Sequence, residues 1–406
     1  MIRNLVLWSA FLAAMPLSTS FAADGPPPAA KEPPSATRVL EVFWPTHPES
    51  VAMLVDILQG SRLGPTDGWF RKAVTKSRFD AKSVIGRFDK DGDGQIAAEE
   101  FPGAARDFAR LDRNRDGAIT SADFDFSANA LAPSPGMTLF MRADRDGDGK
   151  LTKAELDAFF NRADSDGRGF LSLDDAKAIF APAPPPPPAN AKIMKARPAP
   201  SAPPLTKWTL LKGLYRQEIG SLQAGPDVNA VAPDFTLRTV DGKEEVTLSK
   251  LVGSKPVVLI FGNFTCGPFC SQSGNVQKLY ERYKDRATFV MVYVREAHPK
   301  DGWVMSSNES IGVSLRQPLT YDERVGVAQM CSKKLKFGMP MLIDTMDDAV
   351  GARYSGMPSR LYLIDAEGKV AFKNGRGPFG FKTAELESAL LWMLNEPESS
   401  VAAKAR

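Results

Sequence analysis

Histidine and cysteine are both scarce in this chain of 406 residues, which holds two His (His47 and His298) and three Cys (Cys266, Cys270 and Cys331). Zinc fingers and disulfide-dense scaffolds need more ligands at closer spacing, so neither class fits. All thiol chemistry must therefore rest on three sulfurs. The N-terminal apolar stretch, Leu5 to Met15, spans 11 residues, well short of the ~20 that a membrane-crossing helix requires. Basic blocks of the kind that bind nucleic acid are missing, and the formal net charge is only +3, so nucleic acid is not an expected partner.

What is present is unevenly spread. Between Asp80 and Phe180 there are 20 acidic and 14 basic side chains, while the rest of the chain is net basic. An acidic middle attracts cations. Arg3, the Leu5 to Met15 run and Ser20-Phe21-Ala22 together have the charged start, apolar core and small-residue cleavage site of a secretory signal. Residues 1–22 are thus expected to be removed, leaving a periplasmic or secreted protein with no stable membrane insertion. Residues 23–35 form a short Pro-rich spacer, and 181–204 hold ten prolines in 24 positions, a composition that favours extended polyproline II over a packed core. Between these tracts, residues 36–79 carry Val39, Leu40 and Phe43, then Val51, Leu54, Val55 and Leu58 at helical spacing. They suggest a helical pair capping the acidic module.

That acidic module, residues 80–180, repeats one twelve-residue pattern four times, with Asp at position 1, Gly at 6, an aliphatic residue at 8 and an acid at 12. A hard cation such as Ca²⁺ gathers about six to eight oxygens, so side chains at positions 1, 3, 5 and 12 and the carbonyl at 7 converge while Gly allows the turn. The four segments resemble EF-hand loops. The first offers Asp89, Asp91, Asp93, the Gln95 carbonyl and Glu100. The second has Asp112, Asn114, Asp116, the Ala118 carbonyl and the shorter Asp123, which predicts weaker binding. Asp144, Asp146, Asp148, the Lys150 carbonyl and Glu155 make up the third. The fourth has Asp164, Asp166, the Phe170 carbonyl and Asp175, but Arg168 stands where an oxygen is needed. Two to four Ca²⁺ ions are expected, stabilising rather than switching, because calcium is abundant outside the cell.

From Ala232 onward strands alternate with helices, which indicates an α/β layer fold. The buried run Pro256 to Phe261 leads into Cys266-Gly267-Pro268-Phe269-Cys270, with Pro268 suited to the first turn of a helix over Phe269 to Tyr283. A cysteine there faces a helix N-terminus, whose partial positive charge is expected to lower the thiol pKa. Cys331 has the character of a buried small apolar residue. An i, i+4 pair has Cα atoms roughly 6 Å apart, inside disulfide range, so a Cys266–Cys270 bridge is feasible.

These residues resemble thioredoxin-like proteins, with one residue more than the usual Cys-x-x-Cys, and Met357-Pro358-Ser359 resembles the proline, often cis, that lies beside the active cysteine in that fold. A narrower resemblance links Thr265 to Phe269, Tyr293, Glu296 to Trp303, Asp344-Thr345-Met346, Arg360-Leu361-Tyr362 and Gly377-Pro378-Phe379 to the iodothyronine deiodinases, over about residues 231–395. Here cysteine stands where that family usually has selenocysteine, Cys270 adds a thiol, and Ser314 falls where a second histidine is expected. The resemblance implies reductive dehalogenation by an oxidoreductase. Cys266 would be the nucleophile, His298 the proton donor and Glu296 its orienting partner. Cys270 or an external thiol reductant would resolve the product, with Tyr293, Trp303 and Arg360 contacting substrate.

The fold class that follows is multidomain, an all-α EF-hand module plus an α/β thioredoxin-like domain over residues 205–406. Other chemistries use the same pair of sulfurs: disulfide or peroxide reduction on a small-molecule or protein-disulfide substrate, and Cu(I) binding by paired thiolates. A calcium-dependent scaffold with an inert redox domain is a further reading. The proline spacer carries no packing contact, so calcium occupancy is not expected to be felt in the C-terminal domain.

Overall fold

The computed structural model describes residues 48–61, 74–126, 143, 151–164, 166–172, 175, 206–302, 308, 313–377 and 379–396. The signal segment, both proline tracts, Trp303 and the loop residues Asp144, Asp146, Asp148 and Lys150 lie outside them.

A continuously apolar strand, β6 (Val257–Gly262), forms the middle of an eight-stranded sheet, and all six of its residues are buried. Such a run suits a strand covered on both faces. On one side β6 pairs in parallel with β7 (Thr288–Tyr293), which pairs in parallel with β8 (Met341–Ile343). On the other side it pairs antiparallel with β9 (Arg360–Ile364), which forms a hairpin with β10 (Val370–Lys373). The far edge is completed by β4 (Thr236–Thr239) and β5 (Glu245–Thr247). Helices α6 (Gly267–Tyr283), α7 (Tyr321–Leu335) and α9 (Thr383–Leu394) cover one face. This mixed sheet, with a thiol at the end of its central strand and a cis Met357–Pro358 bond before β9, is thioredoxin-like.

The remaining edge strand, β1, comes from outside that domain. Lys76–Ser77 pairs antiparallel with β10, and Arg78 makes a 2.6 Å ion pair with Asp365. The chain then enters α2 (Ala81–Phe88), the first calcium-type loop, β2 (Ile96–Ala97), α3 (Ala105–Leu111), the second loop and β3 (Ala118–Ile119). β2 and β3 pair antiparallel and tie the two loops back to back. The helices do not float on a tether. Trp392 of α9, fully buried, stacks on Phe88 at 5.2 Å between centroids and on Phe124 at 6.2 Å, and meets Phe101 edge-on at 5.6 Å. Asp107, itself buried, binds Arg286 at 2.8 Å and accepts from Asn395 Nδ2 at 3.1 Å. One apolar cluster runs from Phe79 through the loop pair to the sheet.

Two expectations are thereby corrected. Within the segment 36–79, the helix among the described residues packs away from the acidic module. Among its described residues, α1 (Pro48–Leu58) buries Val51, Leu54 and Ile57 against Leu210 and Leu214 of α5 (Lys207–Tyr215), and 76–77 is a strand. Nor is the first loop pair isolated by the proline spacer, because the spacer follows it in sequence while its aromatic face is spent on Trp392.

Arg360 is a third correction, since its guanidinium is taken up inside the protein and is not free for a substrate. It is wholly buried, donates to the carbonyls of Asn374 and Ala224, and with Arg376 grips Glu49 of α1 at 3.2 Å and 2.7 Å. Burial opposes the Glu49 charge, but the two arginines and Lys373 outweigh it and hold the carboxyl below its usual pKa.

Removing one member of a buried ion cluster strands the others, typically at about 3–5 kcal/mol. Glu49→Gln is expected to lose stability in that range by denaturant unfolding, and a change under 1 kcal/mol would mean that α1 is not held there. Trp392→Ala should cost about 3–5 kcal/mol and lower the unfolding of loop pair and sheet together. Two separate transitions, with the loop pair unmoved, would show independent domains.

Candidate active site

Strand β6 ends at Gly262, and the chain must then turn sharply into α6. A side chain at Gly262 would meet the Phe269 ring at 2.4 Å, so only glycine lets helix and strand approach this closely. Cys266 is the N-cap of α6, with Pro268 in its first turn. Its Sγ donates to Ser359 Oγ at 3.6 Å, next to the cis proline, while Asn263 Nδ2 donates to the Pro358 carbonyl at 2.9 Å. Cys270 Sγ donates to the Phe264 carbonyl at 3.2 Å, and the two thiols are unbridged.

Beneath the turn lies Glu296, 1 % exposed. Its Oε2 accepts from both the Thr265 backbone N–H (2.9 Å) and the Thr265 hydroxyl (2.7 Å), and its Oε1 accepts from the Tyr293 hydroxyl. Tyr293 Oη in turn accepts from Phe264 N–H at 3.1 Å. The His298 backbone N–H donates to Thr265 Oγ1 at 3.0 Å, Ala297 N–H to Asn263 Oδ1 at 3.1 Å, and Asn308 Nδ2 to the Thr265 carbonyl at 2.8 Å. Thr265 is therefore the junction between the thiol turn and the Glu296-Ala297-His298 segment. His298 is half-buried beside it.

The structure brings Cys266, Cys270, Glu296 and His298 together, with three changes of role. Glu296 directs its carboxylate to Thr265 and Tyr293, so it reaches the His298 main chain through the Thr265 hydroxyl. Tyr293 is fully buried and holds the turn from below instead of contacting substrate. The Cys266 thiol is not acidified: burial pushes its pKa up to about 11, against the opposing hydrogen bonds from the Phe269 backbone and Ser359. Cys270 is likewise pushed up to about 12 by burial and by the neighbouring Cys266. Burial also raises Glu296, although its hydrogen bonds from Tyr293 and Thr265 pull the other way. Cys331, fully buried on α7, behaves as the apolar residue its context suggested. Ser359, Asn263 and Asn308 were not singled out from the sequence, since polar residues in loops carry no periodic signal.

In the first acidic loop, oxygens of Asp89, Asp91 and Asp93 lie within 4.8 Å of one another. Backbone N–H groups of Gly92 and Gly94 orient the two Asp89 oxygens, and those of Lys90 and Ala97 orient Glu100. The second loop is built alike, with Gly117 N–H on Asp112, and Arg113 and Thr120 N–H on Asp123. Asn114 Nδ2 donates to Asp116 at 2.7 Å there. Both donor sets fit a hard cation. Of the third loop's ligands only Glu155 is among the described residues, where it forms a capping box with Thr152 at the start of α4 (Lys153–Ala163). In the fourth loop Arg168 pairs with Asp166 at 2.7 Å and Asp175 at 2.6 Å, so a guanidinium sits among the carboxylates, in keeping with the defect that its sequence announces.

A buried thiol at the end of a central strand, with a second thiol one helical turn on, is a thioredoxin-like arrangement. The iodothyronine deiodinase family model matches residues 206–393, and EF-hand models match 82–101 and 104–181. Thyroxine 5-deiodinase of Gallus gallus is 35% identical over 164 residues, 40% of this chain and 62% of that protein. Type I iodothyronine deiodinase of Xenopus laevis is 30% identical over 159 residues, 39% of this chain and 61% of that one. The chain thus spans less than two thirds of these relatives. A secreted disulfide oxidoreductase of Mycobacterium tuberculosis resembles 38% of this chain and 93% of its own, at 20% identity and a TM-score of 0.28.

With its pKa raised, the Cys266 thiol should be largely neutral at pH 7 and become more reactive as pH rises. Its alkylation by iodoacetamide in Cys270→Ser, mapped by mass spectrometry, is expected to climb about tenfold per unit from pH 7 to 10. A plateau reached by pH 7 would show an acidified thiol instead.

Proposed function

We propose that this protein is a secreted thiol-dependent reductive dehalogenase that acts on a small halogenated aromatic molecule. The observation that supports it most is the fixed contact, through Thr265, of the Cys266 turn with Glu296 and with the main chain of His298. The deiodinase relatives support the halogen as electrophile.

A base accepts the Cys266 proton, and the thiolate attacks iodine. An S–I bond forms, the C–I bond breaks with its electron pair left on carbon, and that carbon takes a proton supplied through His298. Cys270 then attacks the sulfenyl iodide, giving a Cys266–Cys270 disulfide, iodide and a proton. An external dithiol restores both thiols by exchange. At 1 % exposure Cys266 suits a small substrate that can enter the turn better than a protein disulfide, which must bring two sulfurs into line.

Calcium has a stabilising part in this reading. Asp89, Asp91, Asp93 and Glu100 would hold one ion, and Asp112, Asn114, Asp116 and Asp123 a second, on loops packed against Trp392.

The reduced protein under anaerobic conditions is expected to release iodide from iodinated phenols, and Cys266→Ser to lose at least a thousandfold in rate. Release that persists in the mutant would end the reading. Saturating calcium at about 100 Kd adds about 2.7 kcal/mol of stability per site, so EGTA should lower the unfolding midpoint of the redox domain by several degrees. An unmoved midpoint would remove calcium from it.

A further inference from the structure

The exit of the second calcium-type loop and the helix that follows the nucleophile are gripped by the same short stretch of chain, Phe381 to Thr383. Asp123, the last ligand of that loop, lies in a single helical turn, Ser121–Phe124. Arg113 fixes what comes next: its Nη1 donates to the carbonyls of Asp123 at 3.0 Å and Asp125 at 2.9 Å, and its guanidinium lies 4.1 Å over the Phe126 ring. Lys382 Nζ donates to the Phe126 carbonyl at 3.3 Å and pairs with Glu385 of α9 at 3.2 Å. One residue before it, the buried Phe381 meets the Phe269 ring edge-on at 5.9 Å between centroids. One residue after it, the Thr383 hydroxyl donates to Gln272 Oε1 at 3.2 Å. Phe269 and Gln272 both belong to α6, and Phe269 stands between the two thiols in sequence, with the ring that leaves no room for a side chain at Gly262.

The loop has a physical reason to move this chain of contacts. Asp112 and Asp123, its first and last ligands, are 6 % and 2 % exposed, and Asp123 and Asp116 act on Asp112 as like charges. Carboxylates held together out of water need a cation among them. A bound ion draws Asp123 inward. Without it, repulsion pushes Asp123 outward together with its helical turn and the Phe126 carbonyl. A close-packed interior passes such a displacement on instead of absorbing it, and the first side chains in its way are Lys382 and Phe381.

We propose that Ca²⁺ on the second loop positions the nucleophile: it holds Lys382 and Phe381 against α6 and so keeps the Cys266 turn closed over a buried thiol, which opens when the ion leaves. Phe381 and Lys382 are then positioning residues for the thiol. The inference rests on calcium occupying that loop and is independent of the electrophile that Cys266 attacks.

The test uses the full chain carrying Cys270→Ser, with calcium alone as the ligand. Calorimetry counts the ions bound, and iodoacetamide labelling at pH 8, mapped by mass spectrometry, reads Cys266 and Cys331 separately. Exchanging calcium for EGTA is expected to speed the labelling of Cys266 at least about fivefold through local opening. Cys331, fully buried on α7, should stay unlabelled in both. Asp123→Asn, which alters the second loop alone, should label at Cys266 in calcium as fast as the unaltered chain does in EGTA. Lys382→Gln should bind calcium as before, yet show less than about a twofold difference between calcium and EGTA, and Lys382→Arg should restore the full response. A Cys266 rate indifferent to EGTA or to Asp123→Asn would overturn the proposal. So would Cys266 and Cys331 becoming labelled together, which is unfolding, or a Lys382→Gln variant that keeps the full response. Calcium bound with no change at Cys266 would refute this inference and leave the ion its stabilising part, whereas no calcium bound would refute both.

Discussion

A single buried carboxylate organises the site. Glu296 has no access to water, so its oxygens must find donors inside the protein, and they find them on Thr265, the residue before the nucleophile, and on Tyr293 at the end of β7. The turn between β6 and α6 is thus fastened to the neighbouring parallel strand. Ser359 and Pro358 close it from the other side. The burial that makes these contacts strong also raises the pKa of Cys266, Cys270 and Glu296 together.

The same dependence on burial joins the outer parts of the chain to the sheet. Trp392 is too large for α9 to cover alone, and three phenylalanines from the loop pair complete its enclosure. Arg360 and Arg376 are charged and fully buried, and α1 supplies the Glu49 carboxylate they share. Segments that lie on the far side of the proline spacer from residues 205–406 are structural members of that domain. Calcium on the first two loops would then act on the foundation of α9, whose helix lies against the active-site face of the sheet.

Much of this was legible from residue order. The run Val257–Gly262 has no polar interruption and Pro268 marks the helix start, so the strand, the turn that carries Cys266 and the helix after it were placed correctly. The loops were equally plain, because ligand spacing in an EF-hand is fixed by the cation, and Arg168 already announced a defect in the fourth. Tertiary facts were not legible. Lys76–Ser77 is too short to show alternation, and its partner β10 lies almost 300 residues away. Arg360 as a lone strand arginine matched a substrate contact until Glu49 was seen beside it. The thiol's acidity was misjudged because a helix N-terminus is local and visible in sequence, whereas desolvation depends on everything packed around the sulfur. The proline spacer misled for a related reason: composition shows where the chain is extended, not which pieces pack across it.

The most direct measurement is a single-turnover balance on the reduced protein without external thiol. One equivalent of an iodinated phenol is added anaerobically, iodide is counted, and the remaining thiols are titrated and mapped by mass spectrometry. One iodide released for two thiols lost, with Cys266 and Cys270 recovered as a linked peptide and Cys331 still free, is the expected result. Iodide released with Cys266 still titratable, or Cys266 consumed without any iodide, would contradict a thiol nucleophile that takes the halogen and is resolved by its neighbour one helical turn away.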